Sequence, residues 1–469
     1  MSRLVRFLIG AFCILILTCC ATSHKLDQSH EAGLVPLRQT DEETRSKKIG
    51  KAFLVEARKQ FKFVKDAEVV DAVTRVGQSI LIANGEDPQN FHFLVVKDNV
   101  PNAFAVPGGY IFVFDGLLSR MDNVDELAGV LCHEIGHVKK DHFFKEDKKA
   151  DFATIAGIVA ALVTREPGVA IAGAYSAESL GLSFSREHER EADSIGLRFL
   201  NQAGYNPEGL YNFFKTLQNY EKYNPSLVPA YFSTHPAVEE REVTMQMLIR
   251  SLPPPPSDAH PVSLDWDRIR ALVEIENHPN KPPADFLLDP LKKGMADDMK
   301  HYITGLFFLK NNQIHESIAE LNQALEINPS ASLYHSTLAE ALLKSDLLDQ
   351  AEIEAEKSLQ LDPQNGEGEM MLGFIGAGRA QKDFAISHFE KAKTLREKDP
   401  MIHFQLGSLY TSIGNRKEAS WNLARYYRLE FQPEQALKEL QTAREAFAGD
   451  PPFREKVEAE MLDILREGL

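Results

Sequence analysis

His133-Glu134-Ile135-Gly136-His137 is the densest concentration of chemistry in the chain. On a helix, residues i and i+4 share a face, so both imidazoles can reach one ion. Leu127, Val130, Leu131 and Val138 give the segment helical apolar spacing, and Asp122 or Asn123 stands where a cap is needed. Neutral imidazole suits zinc at about 2.0–2.1 Å. Glu134 stands one step round the helix, where it can contact an activated water without ligating the ion. The plain alternative is two histidines on a solvated helix, for which an apolar helix offers little use.

A catalytic zinc needs a third protein ligand. Lys140 and Phe143 occupy the places of Gly and His in an extended His-x-x-Gly-x-x-His pattern, so that ligand is not a close third histidine. His142, five residues past His137, points off the shared face and reads as a surface or supporting group. A carboxylate from a second helix is the other option. The candidate is Ser185-Arg186-Glu187-His188-Glu189-Arg190-Glu191-Ala192-Asp193, continued by Ile195, Leu197, Phe199 and Leu200. Glu189 and Asp193 share a face, so one could bind the ion while the other fixes a ligand histidine through its far nitrogen. Spacing alone does not choose among Glu187, His188, Glu189 and Glu191, and a charged solvated face would carry the same residues.

His133-Glu134-x-x-His137, followed some fifty residues on by Glu189-x-x-x-Asp193, resembles the HtpX-like and CAAX-prenyl-protease-like metallopeptidases, which are gluzincins. The resemblance runs over residues 45–250. It takes in Asn102-Ala103-Phe104-Ala105-Val106-Pro107-Gly108-Gly109-Tyr110-Ile111-Phe112-Val113 and Ser185-Arg186. It implies that His133, His137 and Glu189 hold one zinc ion per chain, that Glu134 is the general base, and that Asp193 orients a histidine. Ser233-Thr234-His235-Pro236 resembles a stretch in periplasmic gluzincins with attached tetratricopeptide repeats. That likeness implies that His235 is a regulatory fourth ligand holding the protease latent; the alternative is a catalytic part in stabilising the oxyanion.

The elements around these residues follow from local pattern. Aromatic and β-branched content makes 110–114 a strand. As an edge strand beside the cleft it would pair with an extended substrate, with Gly108-Gly109 permitting close approach; otherwise it is a core strand after a turn. The apolar stretches 152–163 and 168–182 are too short to span a bilayer and read as a helical lid over the cleft or as core.

The 469 residues are 43% hydrophobic and 26% charged, which excludes a polytopic membrane protein and a wholly disordered chain. A net charge of −16 without a basic block argues against nucleic acid. Of the four cysteines, Cys13, Cys19 and Cys20 crowd into the first twenty residues, so a disulfide-stapled fold is excluded. Arg3 and Arg6 precede an apolar run over 7–17 that ends in Leu17-Thr18-Cys19-Cys20-Ala21. This is a secretory signal. It resembles a lipoprotein box with lipidation at Cys20, against plain cleavage near 21–23. The expected domains are a signal at 1–20, a tether at 21–45, a metallopeptidase domain at 46–250, a proline-rich linker at 251–298 and a repeat domain at 299–469. The linker follows from Pro253 to Pro256 and the five further prolines within forty residues, leaving room for one short helix near Trp266.

Past Lys293 the chain repeats every 34 residues. Thr304-Gly305, Leu338-Ala339, Leu372-Gly373 and Leu406-Gly407 form one column, and Ser317, Ala351, Ala385 and Ala419 a second. Ala324, Ser358 and Ala392 form a third; the third stop slips to Pro400, and Tyr426 breaks the fourth unit. These columns look like tetratricopeptide repeats, with 433–447 and 453–465 capping the stack. The expected fold is mainly α: an α+β metallopeptidase domain of zincin type with a small sheet, followed by an α-helical tetratricopeptide-repeat solenoid. The resemblance implies a zinc-dependent endopeptidase of the bacterial periplasm that degrades misassembled outer-membrane proteins. Its repeats would bind clients or the barrel-assembly machinery, and it would touch the membrane only through a lipid anchor. The other reading is a chaperone or adaptor with a latent zinc site.

Overall fold

The computed structural model of the protein describes residues 37–140, 185–223, 231, 235, 238–281, 295–447 and 449–466. The signal and Cys20, His142, the stretches 152–163 and 168–182, Thr234 and Pro236 lie outside the described residues. Among the described residues, no helix is long and apolar enough to cross a membrane.

Helix α1 (Leu37–Gln60) starts within the span assigned to a tether. Helix α2 (Ala67–Ala83) is capped by Asp66, whose carboxylate accepts from the Glu68 and Val69 amides at 3.0 and 3.3 Å. Strands β1 (His92–Val96), β2 (Ala103–Val106) and β3 (Tyr110–Phe114) form a sheet of order β1-β3-β2, with β1 parallel and β2 antiparallel to β3.

This order corrects one expectation. β3 is the central strand, hydrogen-bonded on both sides, so it has no edge to offer a substrate; the edge beside the histidine helix is β2. Nor do Gly108 and Gly109 admit a ligand. Both have φ +81° in the β2–β3 turn, and a Cβ on Gly109 would lie 1.9 Å from the Asn90 carbonyl oxygen. They admit the chain's own backbone. The outer edge of β1 is covered by residues 62–64 through the Phe63–Val96 bridge.

Side chains alternate across the sheet. Phe104, Phe112 and Phe114 pack on one face against Phe53, Leu54 and Ala57 of α1. Ala103, Ala105, Ile111 and Val113 face the main core, which includes α2 and α4 (Val124–Lys139). Short α3 (Asp115–Leu118) precedes α4; α5 (Arg186–Gln202), α6 (Glu208–Tyr223) and α7 (Val238–Ser251) follow it.

The proline-rich segment is more than a connector. Its helix α8 (Trp266–Asn277) buries Trp266, Ile269, Leu272, Val273 and Ile275 in the main core, and the Trp266 indole donates to the Met121 carbonyl at 2.9 Å. Arg268, buried, bonds Glu68 of α2 at 2.7 and 2.9 Å and reaches forward to Thr337 and Glu367 at 3.2 and 2.9 Å. The prolines bound the segment; burial of this apolar face holds it in place.

The last two are residues of the repeat array: α9 (Asp297–Lys310), α10 (Ile314–Ile327), α11 (Ser332–Lys344), α12 (Leu348–Leu361), α13 (Gly366–Gly378), α14 (Lys382–Leu395), α15 (Pro400–Ser412), α16 (Arg416–Leu429), α17 (Pro433–Ala446) and α18 (Pro451–Arg466). Consecutive helices pair as hairpins in a tetratricopeptide-repeat solenoid. The turns inside the first four hairpins place Asn312, Asp346, Ala380 and Gly414, each 34 residues on, at φ 59°, 59°, 58° and 79°.

A second column ties each of these four hairpins. His301 bonds Glu320 at 2.7 Å, His335 bonds Glu354 at 2.6 Å and His403 bonds Asn422 at 3.2 Å, always 19 residues apart. In the third repeat the pair is exchanged: Glu369 stands at the histidine's place and bonds His388 at 2.5 Å.

Candidate metal centre

The α4 sequence folds as a helix because Asn123 accepts from the Glu126 amide at 3.1 Å and because Leu127, Val130, Leu131 and Ile135 bury in the core. Ser185 caps α5, accepting from the His188 amide at 3.3 Å. The two helices pack through glycine. A Cβ on Gly136 would lie 2.9 Å from the Ala192 carbonyl oxygen, and one on Gly196 would lie 3.1 Å from the His133 nitrogen. That approach brings His133, His137, Glu189 and Asp193 together.

His133, His137, Glu189 and His235 are all buried, and one donor atom from each lies within 4.8 Å of the others. His133 Nε2 is 3.0 Å from His137 Nε2 and 3.2 Å from His235 Nδ1. Glu189 Oε1 is 3.3 Å from His137 Nε2 and 3.0 Å from His235 Nδ1. Four donors at zinc bond lengths on a regular tetrahedron stand about 3.3 Å apart. The donor set of three imidazoles and one carboxylate, at this spacing, therefore fits a single zinc ion.

Asp193 accepts from His133 Nδ1 at 2.9 Å, turning His133 Nε2 toward the other donors. Glu134 is buried, and neither of its carboxylate oxygens takes a hydrogen bond from the described residues; His235 Nε2 lies 3.5 Å from Oε1. Burial pushes the Glu134 carboxyl upward, against the pull of His235 and His133. Burial presses His137 well below its ordinary value, which keeps its lone pair free for an ion. Burial also works to lower His133, but Asp193 and Glu189 outweigh it and raise His133 to about 9. Glu189 is held well below the carboxylate range: burial opposes this, and Arg241 and His235 prevail.

Two residues at the site are not among those singled out from the sequence. Arg241 of α7, buried, forks onto both Asp193 oxygens at 2.8 and 2.7 Å, pairs through Nη1 with Glu189 Oε2, and lies over the Phe214 ring at 4.7 Å. Tyr231 stacks on the His235 ring at 4.4 Å, and its amide donates to the Pro101 carbonyl, just before β2, at 3.4 Å. The available signal for Arg241 was its place six residues past His235.

Residues 67–247 match peptidase family M48. The beta-barrel assembly-enhancing protease of Escherichia coli (strain K12) is 23% identical over 390 residues, covering 81% of this chain and 72% of that one. A Vibrio cholerae counterpart of that protease is 29% identical over 233 residues, 48% of this chain and 47% of its own. The match thus spans about half the length of that relative. The mitochondrial metalloendopeptidase OMA1 of Schizosaccharomyces pombe is 31% identical over 171 residues, 36% of this chain and 50% of that one. The span matched by peptidase family M48 is thus the one that holds His133, Glu134, His137, Glu189, His235 and Arg241.

Proposed function

We propose that the chain is a zinc-dependent endopeptidase of the bacterial cell envelope that degrades misassembled outer-membrane proteins. His133, His137 and Glu189 hold one zinc ion, Asp193 orients His133, and His235 occupies the fourth corner. The observation that carries the reading is the convergence of these four buried donors, neighbours 3.0–3.3 Å apart and all within 4.8 Å of one another.

When bound, zinc supplies a Lewis acid that lowers the pKa of a water and polarises the scissile carbonyl. Glu134 does the proton work. It takes a proton from the attacking water as the carbon–oxygen bond forms, then gives it to the departing amine as the carbon–nitrogen bond breaks. Its raised pKa suits both halves of that transfer. The edge of β2 is placed to pair with an extended substrate backbone. His235 in the fourth corner stands where the water must be, so this arrangement is the latent one. Tyr231 links the same segment to Pro101, so moving His235 away also loosens the approach to β2.

The name of the E. coli relative, beta-barrel assembly-enhancing protease, supports a role in β-barrel assembly; outer-membrane clients and a contact between the repeat array and the barrel-assembly machinery are our extension of it. A periplasmic location, with Cys20 as a lipid anchor to the outer membrane, fits that reading. The filled fourth corner favours one second reading, a client-binding chaperone or adaptor whose zinc site stays mostly latent.

Glu134→Gln separates the two. Processing of an unfolded outer-membrane protein should fall by about 10²–10⁴-fold with zinc retained, and the client should then co-purify. Unchanged processing in a zinc-replete sample refutes the proteolytic mechanism. His137→Ala should lose the zinc; stoichiometric zinc in that variant refutes the ligand set.

A further inference from the structure

Arg241 is a fully enclosed cation six residues past His235. Its guanidinium faces two acids of a single helix, and Nη2 also lies 3.5 Å from His133 Nδ1. Nε and Nη2 donate to both oxygens of Asp193, and Nη1 forms an ion pair with Oε2 of Glu189. The opposite Glu189 oxygen, Oε1, is the one that faces His137 and His235. Oε2 stands only 3.5 Å from His133 Nε2, so a small rotation of the carboxylate would bring both oxygens to the donor cluster. Phe214 backs the guanidinium at 4.7 Å, and outside the cluster Glu240 pairs with Arg186 and Arg190, tying α7 to α5 at the surface as well.

From this geometry we infer that Arg241 is a positioning residue that makes Glu189 a one-oxygen ligand. By holding Oε2, it reserves the fourth corner for either His235 or a water. Through Asp193, it also fixes the ring of His133. The fork does what a point charge cannot: it spans two carboxylates at once, with two directed N–H bonds to Asp193 and an ion pair to Glu189. The inference rests on the zinc reading above.

The test uses the full chain with Arg241→Lys and Arg241→Gly, each checked by thermal unfolding and far-ultraviolet circular dichroism. Zinc affinity, read by competition with a chromophoric chelator, should fall about 10–100-fold in both. Cobalt-substituted wild type should show the intense visible bands of four-coordinate cobalt. The variants should show the weaker bands of five-coordinate cobalt as Glu189 becomes bidentate. Millimolar guanidinium should restore affinity and spectrum to Arg241→Gly and not to Arg241→Lys, whose side chain fills the space. If Arg241→Gly does not fold, the lysine variant, which keeps the charge, decides by its cobalt spectrum. Folded variants with wild-type zinc affinity and cobalt bands overturn the inference. His137→Ala keeps the two levels apart. Zinc lost there but unaffected in the Arg241 variants overturns only the role of Arg241; zinc retained there overturns the metal centre itself.

Discussion

Gly136→Ala asks whether the donors are spaced by the backbone contact of α4 with α5. The new Cβ would lie 2.9 Å from the Ala192 carbonyl oxygen and 3.0 Å from its Cα, where ordinary contact begins at 3.4 Å. Both obstacles are backbone, so no side chain can turn aside and α5 must move by about 0.5 Å. Overpacking of this kind costs about 1–3 kcal/mol, and replacing a mid-helix glycine by alanine returns about 1 kcal/mol. The net loss of about 0–2 kcal/mol leaves the protein folded, with melting lowered by a few degrees. Function should suffer far more. Ala192 adjoins Asp193 and lies one turn from Glu189, and a working constellation tolerates only about 0.5 Å of error. The expected fall in kcat/KM on a quenched-fluorescent peptide is about 10²-fold, with weaker zinc binding in a chelator competition. Gly378→Ala is the control, because its Cβ would meet nothing nearer than the Leu348 side chain at 3.7 Å. Gly136→Ala with wild-type kcat/KM and zinc affinity would refute the idea that this contact sets the site.

His235→Ala should raise turnover of an unfolded client by emptying the fourth corner; a fall in kcat at constant KM would assign His235 to the oxyanion instead. Arg268→Met strands Glu68 and Glu367 at the junction of α2, α8 and α13, and urea unfolding should show a loss of about 3–5 kcal/mol; an unchanged midpoint would mean that the array is held by apolar packing alone. Acid should tighten the array through His335. Its two ring nitrogens face the Glu354 carboxylate at 2.6 Å and the Pro329 carbonyl at 3.0 Å, both acceptors, so the imidazolium is favoured and its pKa raised, Glu354 first among the causes, with burial and Lys357 opposing. A raised histidine contributes in full below its unfolded value of about 6.5 and loses that contribution as pH climbs through the folded value. The melting temperature should therefore decline from pH 6 upward, and Glu354→Gln should flatten the slope; an equal slope in that variant would rule out the pair as its source.

Much of this molecule was legible from local pattern. The 34-residue columns gave the array because each hairpin repeats one packing problem, and small residues recur wherever two helices must touch. The exchange of His335/Glu354 for Glu369/His388 was equally legible, since both pairs stand 19 residues apart in one register. His133, Glu134 and His137 were legible because helical spacing alone aligns them. Spacing alone left Glu187, His188, Glu189 and Glu191 open, and the burial of α5 is what separates Glu189 from the others. Glu189 shares a stripe with Ala192, Asp193, Gly196 and Leu200, all buried, whereas Glu187 and Arg190 are exposed and His188 and Glu191 only half-buried. A glycine and an alanine on a stripe mark where another helix arrives, so the acid one turn before them faces that helix.

The strand order was not legible, because nothing in five buried residues at 110–114 says whether one neighbour or two will pair with them. Arg241 escaped for a related reason. A charged residue in a charged helix reads as solvent-facing until the acids it meets are known, and those acids sit some fifty residues earlier in the chain. A fully enclosed arginine is costly unless carboxylates surround it, and two carboxylates beside a metal site are costly unless a cation accompanies them. Glu189, Asp193 and Arg241 are therefore one electrostatic unit built from α5 and α7, and any change to one of the three should be read through the other two.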